Sequence, residues 1–320
     1  MRVALRTVVV VLLGGFANAC ASEALLTPLN WGKSPGVESQ VDLPYGTDER
    51  QRLDIYRPVD ALGAPVIVFW YGGSWQHGDK DYYGFVGETL ARQGFVAIVP
   101  DYRLAPDHPF PEFLLDAASA VRWARDHAAE LGGDPTRLYV SGHSAGGHTA
   151  LMLGLDSRYL RDVSMAPSDI AGVISLAGPT GLENLRGKGL AGVFPLGIPD
   201  ERFSPIALAP QQAAVAPPFL LIIGMEDDVI YASSIDRLAG GIRSGGGDVT
   251  VVTYPDIGHI GLVLGFSRLF DEGNVVAARM AQFAGLSRPQ EPVAIAPENP
   301  YPATSPIAFT TIDSANDQRQ

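Results

Sequence analysis

The chain has 320 residues, 46% hydrophobic and 18% charged, and its 36 Gly and 25 Pro fit a globular rather than a low-complexity composition. With 23 Lys+Arg against 35 Asp+Glu the formal net charge is -12, which repels a phosphate backbone and offers nucleic acid no basic stripe. A single cysteine, Cys20, excludes an intramolecular disulfide and a cysteine-based zinc site.

Met1, Arg2 and Arg6 make a basic start, residues 7–16 are mostly apolar but too few to span a membrane, and Ala17-Asn18-Ala19 is a small-x-small cleavage pattern. Residues 1–19 are therefore expected to be a signal peptide, and the chain an exported one. Without their two Arg the remainder carries 21 basic and 35 acidic residues, a net of -14. Cleavage there leaves Cys20 first, which resembles a bacterial lipoprotein attachment site. The product is then lipid-anchored in the cell envelope, or periplasmic or secreted if Cys20 stays bare.

Pro28, Pro35 and Gly36 interrupt any period over 20–46, which is expected to be an N-terminal tether. A single folded domain is expected over 47–286. Short apolar and β-branched runs predict strands at 53–56, 66–71, 96–99, 138–141, 170–176, 219–223 and 249–254. Helical spacing of apolar residues predicts helices at 84–92, 113–130, 145–155, 231–243 and 268–283. Near-continuous apolar strands alternating with helices imply an α/β fold, a mostly parallel sheet covered on both faces. Residues 180–205 are rich in Gly and Pro without a clear strand, and are expected to be a small cap insertion over the active edge. From Ser287 onward six prolines and a polar finish predict an extended or disordered tail, 287–320.

Three stretches carry chemistry. The first, Trp70-Tyr-Gly-Gly-Ser-Trp-Gln-His-Gly-Asp-Lys80, follows a predicted strand, and its consecutive small residues let backbone N–H groups turn toward a developing oxyanion. The second, Gly142-His143-Ser144-Ala145-Gly146, is a G-x-S-x-G between a strand and a helix. Its flanking glycines permit the sharp turn that lifts the Ser144 hydroxyl out of the sheet above a helix N-terminus. A serine hydroxyl needs a base, and the base needs an orienting acid. Acid and then histidine follow the serine in this arrangement, and of the six histidines only His148 and His259 do so. His148 lies on the first turn of the nucleophile helix, which leaves His259, in the loop after the last strand, as the base. The acid belongs at the end of the preceding strand, where Glu226, Asp227 and Asp228 compete. Asp227 is favoured, three residues past Gly224 and ahead of the apolar pair Val229-Ile230, with Asp228 the alternative.

These stretches, with Asp101-Tyr-Arg-Leu-Ala-Pro-Asp-His-Pro-Phe-Pro111 and Gly132-Gly-Asp-Pro-Thr-Arg137, resemble the α/β-hydrolase esterases over roughly 51–283. The likeness is to hormone-sensitive-lipase-like carboxylesterases and their feruloyl-esterase-like relatives. The resemblance implies an α/β-hydrolase fold and oxyanion donors at the second and third glycines of a His-Gly-Gly-Gly motif and at the residue after the nucleophile. Here those positions are Gly73, Ser74 and Ala145. Tyr71 replaces the family's histidine, Ser74 its third glycine, and His143 the aspartate common before the nucleophile of lipase-like members. It also implies that Asp101 and Arg103 belong to a structural turn, as an internal salt bridge rather than a ligand site. The expected function is a serine carboxylic-ester hydrolase acting on small to medium acyl esters through an acyl-enzyme, needing neither metal nor organic cofactor. The Gly-Gly-x-Trp-Gln form also looks like kynurenine formamidase, so an amidase is one alternative, and an inactive binding protein on the same scaffold is another.

Overall fold

A computed structural model of the chain describes residues 34–181, 189–267 and 275–286, together with Leu29. The expected signal segment, Cys20 and the tail 287–320 lie outside the described residues.

Eight strands form one sheet: β1 (Val37–Pro44), β2 (Arg52–Pro58), β3 (Ala64–Trp70), β4 (Val96–Pro100), β5 (Gly133–His143), β6 (Gly172–Leu176), β7 (Phe219–Gly224) and β8 (Val249–Tyr254). Their order is β1-β2-β4-β3-β5-β6-β7-β8. The β1–β2 and β2–β4 pairs are antiparallel and the rest parallel. β3, β4, β6 and β7 are almost wholly buried, as their unbroken apolar runs require when helices cover both faces.

The helices are α1 (Gly84–Arg92), α2 (Glu112–His127), α3 (Ala145–Leu155), α4 (Ser157–Asp162), α5 (Pro205–Gln212), α6 (Ala232–Ser244), α7 (Gly261–Leu264) and α8 (Val275–Phe283). Two adjacent residues of β6 show how they are divided. A Cβ on Gly172 would meet Phe283 of α8, while Val173, pointing the other way, fills the space left by Gly154 of α3. Both faces of the sheet are thus occupied, and among the described residues no helix is long and apolar enough to cross a membrane.

The expected α/β-hydrolase architecture is present, and the predicted strands and helices are found within a few residues of their expected ends. Of the helix expected over 268–283, the described part is α8. One expectation fails: part of the segment 20–46, read as a tether, is the edge strand β1. Five consecutive residues of β1 are exposed, so it carries no apolar alternation for a sequence to display. Pairing to β2 holds it instead, with a register shift between Gln40 and Leu43 where Asp42 takes a positive φ of 59° and its N–H donates to Asp54. There Lys80 Nζ sits among Asp42 (2.6 Å), Asp81 (2.6 Å) and Asp54 (3.1 Å), an ammonium bridging three carboxylates between β1, β2 and the turn after β3.

The expected Asp101–Arg103 pairing is corrected in its partners. Each forms an internal ion pair, but Asp101 meets Arg50 at 3.1 Å and Arg103 meets Asp116 at 2.6 Å. The Asp116 side chain is fully buried at the start of α2, where it also accepts from the Arg103 backbone N–H and from Gln51 Nε2 at 2.8 Å. It anchors the loop after β4 to α2. Removing one partner of a buried pair strands the other, so Asp116→Ala is expected to lower unfolding free energy by about 3 kcal/mol, read from urea denaturation. An unchanged midpoint would contradict that anchoring role.

Candidate active site

The chemistry-bearing residues gather at the C-terminal ends of parallel strands, where α/β sheets place their ligands. Ser144 stands between β5 and α3 with φ 53° and ψ -120°, a left-handed conformation that a non-glycine residue adopts at a cost of order 1–3 kcal/mol. Its N–H donates to Leu176 at the tip of β6 (2.9 Å), and its carbonyl accepts from His148 (3.0 Å). Both flanking glycines are required by contact. A Cβ on Gly146 would lie 2.0 Å from the Trp70 carbonyl oxygen, and one on Gly142 would lie 2.3 Å from the Gly146 carbonyl carbon. The end of β3 therefore presses on the elbow closely enough to exclude any side chain there.

Asp227 and His259 meet in the loops after β7 and β8. His259 Nδ1 lies 2.8 Å from Asp227 Oδ2, and Asp227 Oδ1 accepts the N–H groups of Val229 (2.9 Å) and Ile230 (2.7 Å). Burial alone pushes this carboxyl up, but the bond to His259 and the two amides outweigh it and hold Asp227 below the usual carboxylate range. An ionised Asp227 accepts, so the His259 proton sits on Nδ1 and Nε2 is left for proton transfer. Of the three competing acids, Glu226 and Asp228 are exposed and only Asp227 is buried against the histidine.

The loop after β3 runs through Gly73 (φ 115°), Ser74 (φ 55°) and Trp75 (φ 59°), three consecutive positive φ values of which two fall on non-glycine residues. The Gly73 carbonyl accepts from Gln76 and His77 at 3.0 Å each, and the Trp75 carbonyl from Ala105 at 2.9 Å. Among the described residues the fold gives the N–H groups of Gly73, Ser74 and Ala145 no backbone acceptor. A Cβ on Gly72 would approach the Ser144 Cβ to 3.0 Å, so this loop lies directly against the elbow.

Tyr71, where the resembling family has histidine, shapes the loop by another route. The buried ring stacks on Tyr102 (4.9 Å) and Tyr83 (5.3 Å). Its hydroxyl donates to Asp101 Oδ1 at 2.5 Å and accepts from Arg50 Nη2 at 2.8 Å, and the same nitrogen reaches the Gly78 carbonyl at 2.9 Å.

Trp75 is buried, with its ring edge-on to His148 and to Phe194, each at 5.0 Å. Phe194 and Phe203 come from the described part of the expected cap insertion, which has no strand and packs on Phe110 and Phe113. His148, set aside as a base on sequence, is wholly buried and its Nε2–H donates to the Phe203 carbonyl at 2.8 Å, tying the nucleophile helix to that insertion. The residue that sequence reasoning missed is His143. Its Nε2–H donates to the His259 carbonyl at 3.0 Å and its ring lies 4.7 Å from the His259 ring. The departure from aspartate was its only signal, because the partner lies 116 residues away.

The chain is similar to known esterases. The BD-FAE family pattern matches residues 53–239. Esterase LipC of Mycobacterium tuberculosis is 32% identical over 236 residues, 67% of this chain and 58% of the relative. Carboxylesterase NlhH of the same species is 42% identical over 137 residues, 42% of this chain and 40% of the relative. The chain spans about half the length of the curated relatives it matches. Among solved structures, esterase B of Lactobacillus rhamnosis superposes with a TM-score of 0.71 at 20% identity, covering 84% of this chain and 94% of that one, which shows the shared fold.

Burial raises Asp101 to about 6 despite the opposing charge of Arg50. A carboxyl whose folded value lies above its unfolded 3.8 contributes stability that is full below pH 4 and lost as pH rises through 6. Relative to wild type, Asp101→Asn is therefore expected to gain about 3 kcal/mol between pH 4 and pH 7 in paired denaturation curves. A difference that does not change with pH would refute this.

Proposed function

The chain belongs to the BD-FAE family, and from that premise we propose that it is a serine carboxylic-ester hydrolase acting through an acyl-enzyme. The observation that carries this reading is the buried Asp227–His259 pair at 2.8 Å, set at the same sheet edge as a serine held at positive φ. Ser144 Oγ attacks the ester carbonyl carbon while His259 Nε2 takes its proton, and Asp227 stabilises the imidazolium that results. The carbonyl oxygen becomes an oxyanion, received by the N–H groups of Gly73, Ser74 and Ala145, each donor contributing about two to three orders of magnitude in rate. The tetrahedral species collapses, the C–O bond to the alcohol breaks, and the alcohol leaves with the proton from His259. Water, deprotonated by the same nitrogen, then releases the acid and restores Ser144.

The esterase names of LipC and NlhH support the reaction class. The aromatic cluster of Trp75, Phe110, Phe113, Phe194 and Phe203 supports small to medium acyl groups, because rings packed on one another beside the elbow leave long chains little room. Export rests on the basic start, the apolar run and the small-residue pattern before Cys20.

A series of p-nitrophenyl esters from acetate to palmitate tests the reaction, with Ser144→Ala in every assay. Turnover confined to the short esters is expected, falling by about 10⁴-fold or more in Ser144→Ala, with a maximum at neutral to alkaline pH because His259 must be unprotonated. Undiminished turnover in the variant, or a maximum at pH 4, would sink the mechanism. Faster cleavage of matched amides would favour the amidase, and failure to label with a fluorophosphonate would favour an inactive scaffold. Intact-mass measurement of the exported protein is expected to find a chain beginning at Cys20 with added lipid mass. An unmodified Cys20 would make the product a freely released one.

A further inference from the structure

We propose that His143 is a positioning residue for the base: its Nε2–H holds the His259 main chain in place while Asp227 orients the catalytic imidazole. The proposal rests on the serine-hydrolase reading above, but one of its tests does not need turnover.

His143 is covalently next to Ser144 and paired through β5 with Leu176 of β6, so its backbone moves with the nucleophile. Its side chain crosses to the loop after β8 and donates to the His259 carbonyl at 3.0 Å, with the two rings 4.7 Å apart and tilted by 44°. One imidazole thus joins the strand bearing the nucleophile to the backbone of the base, two elements that the sheet order separates by β6 and β7. Asp227 fixes the His259 ring through Nδ1, while His143 fixes the chain from which that ring hangs. Together they leave Nε2 little freedom, as proton transfer over hydrogen-bonding distance demands.

A carbonyl only accepts, so His143 carries its proton on Nε2 and keeps Nδ1 bare. The titratable groups that act on it are His259 and, behind it, Asp227, and from the β3 side it faces the backbone of Gly72. Burial, with the neighbouring His259, holds its ionisation down to about 3, so it stays neutral throughout the working range. A carboxylate at this position, as in lipase-like members, would lie near the imidazolium, which would then keep its proton to higher pH.

Three substitutions test this. His143→Leu removes the donor at similar volume, and is expected to lower kcat about 10- to 100-fold with KM changed less than about threefold. His143→Gln, whose amide nitrogen can take the Nε2 role, is expected to recover most of that loss. His143→Asp is expected to move the acidic limb of kcat/KM upward by about one pH unit or more. Equal losses in Leu and Gln that track their thermal unfolding midpoints, with an unmoved limb in Asp, would reduce His143 to a structural residue and overturn the proposal. Nitrogen-15 NMR of the wild-type imidazoles is read without substrate or mutation. His143 protonated on Nε2 alone, without titration down to pH 5, is expected, and the opposite tautomer or a titration near 6.5 would overturn the proposal. If that tautomer is found and every ester is left uncleaved, the reaction assignment fails while the contact stands.

Discussion

The site depends on a steric constraint at Gly146. Its backbone approaches the last carbonyl of β3 so closely that a methyl group would lie 2.0 Å from oxygen, and the contact can form only if the chain turns at once into α3. That turn forces Ser144 into the left-handed region, where its side chain stands clear of the sheet and its amide is secured by Leu176. The strain is local and the restraint comes from neighbouring strands, which is how a conformation costing a few kcal/mol persists in a protein of marginal stability. Because the same β3 carbonyl end leads into Gly72 and Gly73, packing of the elbow also sets where the loop after β3 begins. Ser144 and the candidate donors are thus fixed by one contact between the end of β3 and the first turn of α3.

Charge holds what sterics have arranged. The loop after β3, with its run of positive φ values, is held by Arg50 and Asp101 at the Tyr71 hydroxyl and by Lys80 among its three carboxylates, and the loop after β4 beside it is held by Arg103 and Asp116. Asp42, Asp54 and Asp101 stand on β1, β2 and the end of β4, so the loop is tied to three elements, while Asp116 of α2 fastens the neighbouring loop after β4. Buried pairs of this kind contribute little net stability, but they penalise every alternative placement of the loop. A tyrosine in place of the family's histidine is accommodated on the same logic, since the phenol offers one donor and one acceptor to an acid and a guanidinium already present.

Most of the fold was legible because its strands are short apolar runs and its helices amphipathic, so that β3, β4, β6, β7, β8 and the main helices announce themselves. β1 did not, because an exposed edge strand is specified by its partner's hydrogen bonds rather than by its own side chains. Ser144 and His259 were readable from motif and chain order. Asp227 was distinguishable from Asp228 only weakly, since what separates them is burial against a loop from a different strand. The ionic partners of Asp101 and Arg103 were invisible, because pairing across 51 residues in one case and 13 in the other leaves no local spacing. His143 was noticed as a departure but not as a contact, for the same reason.

The bond from His148 to the Phe203 carbonyl bears on how the molecule chooses what it accepts. A histidine one turn into α3 clasps the insertion from beneath, and Trp75, leaving the loop after β3, wedges against both. To move this part of the insertion the protein would have to unpack five aromatic rings and uncover a buried imidazole, a change closer to partial unfolding than to the swing of a door. The boundary on this side of Ser144 is therefore set when the chain folds, a preformed shape rather than one induced on closing.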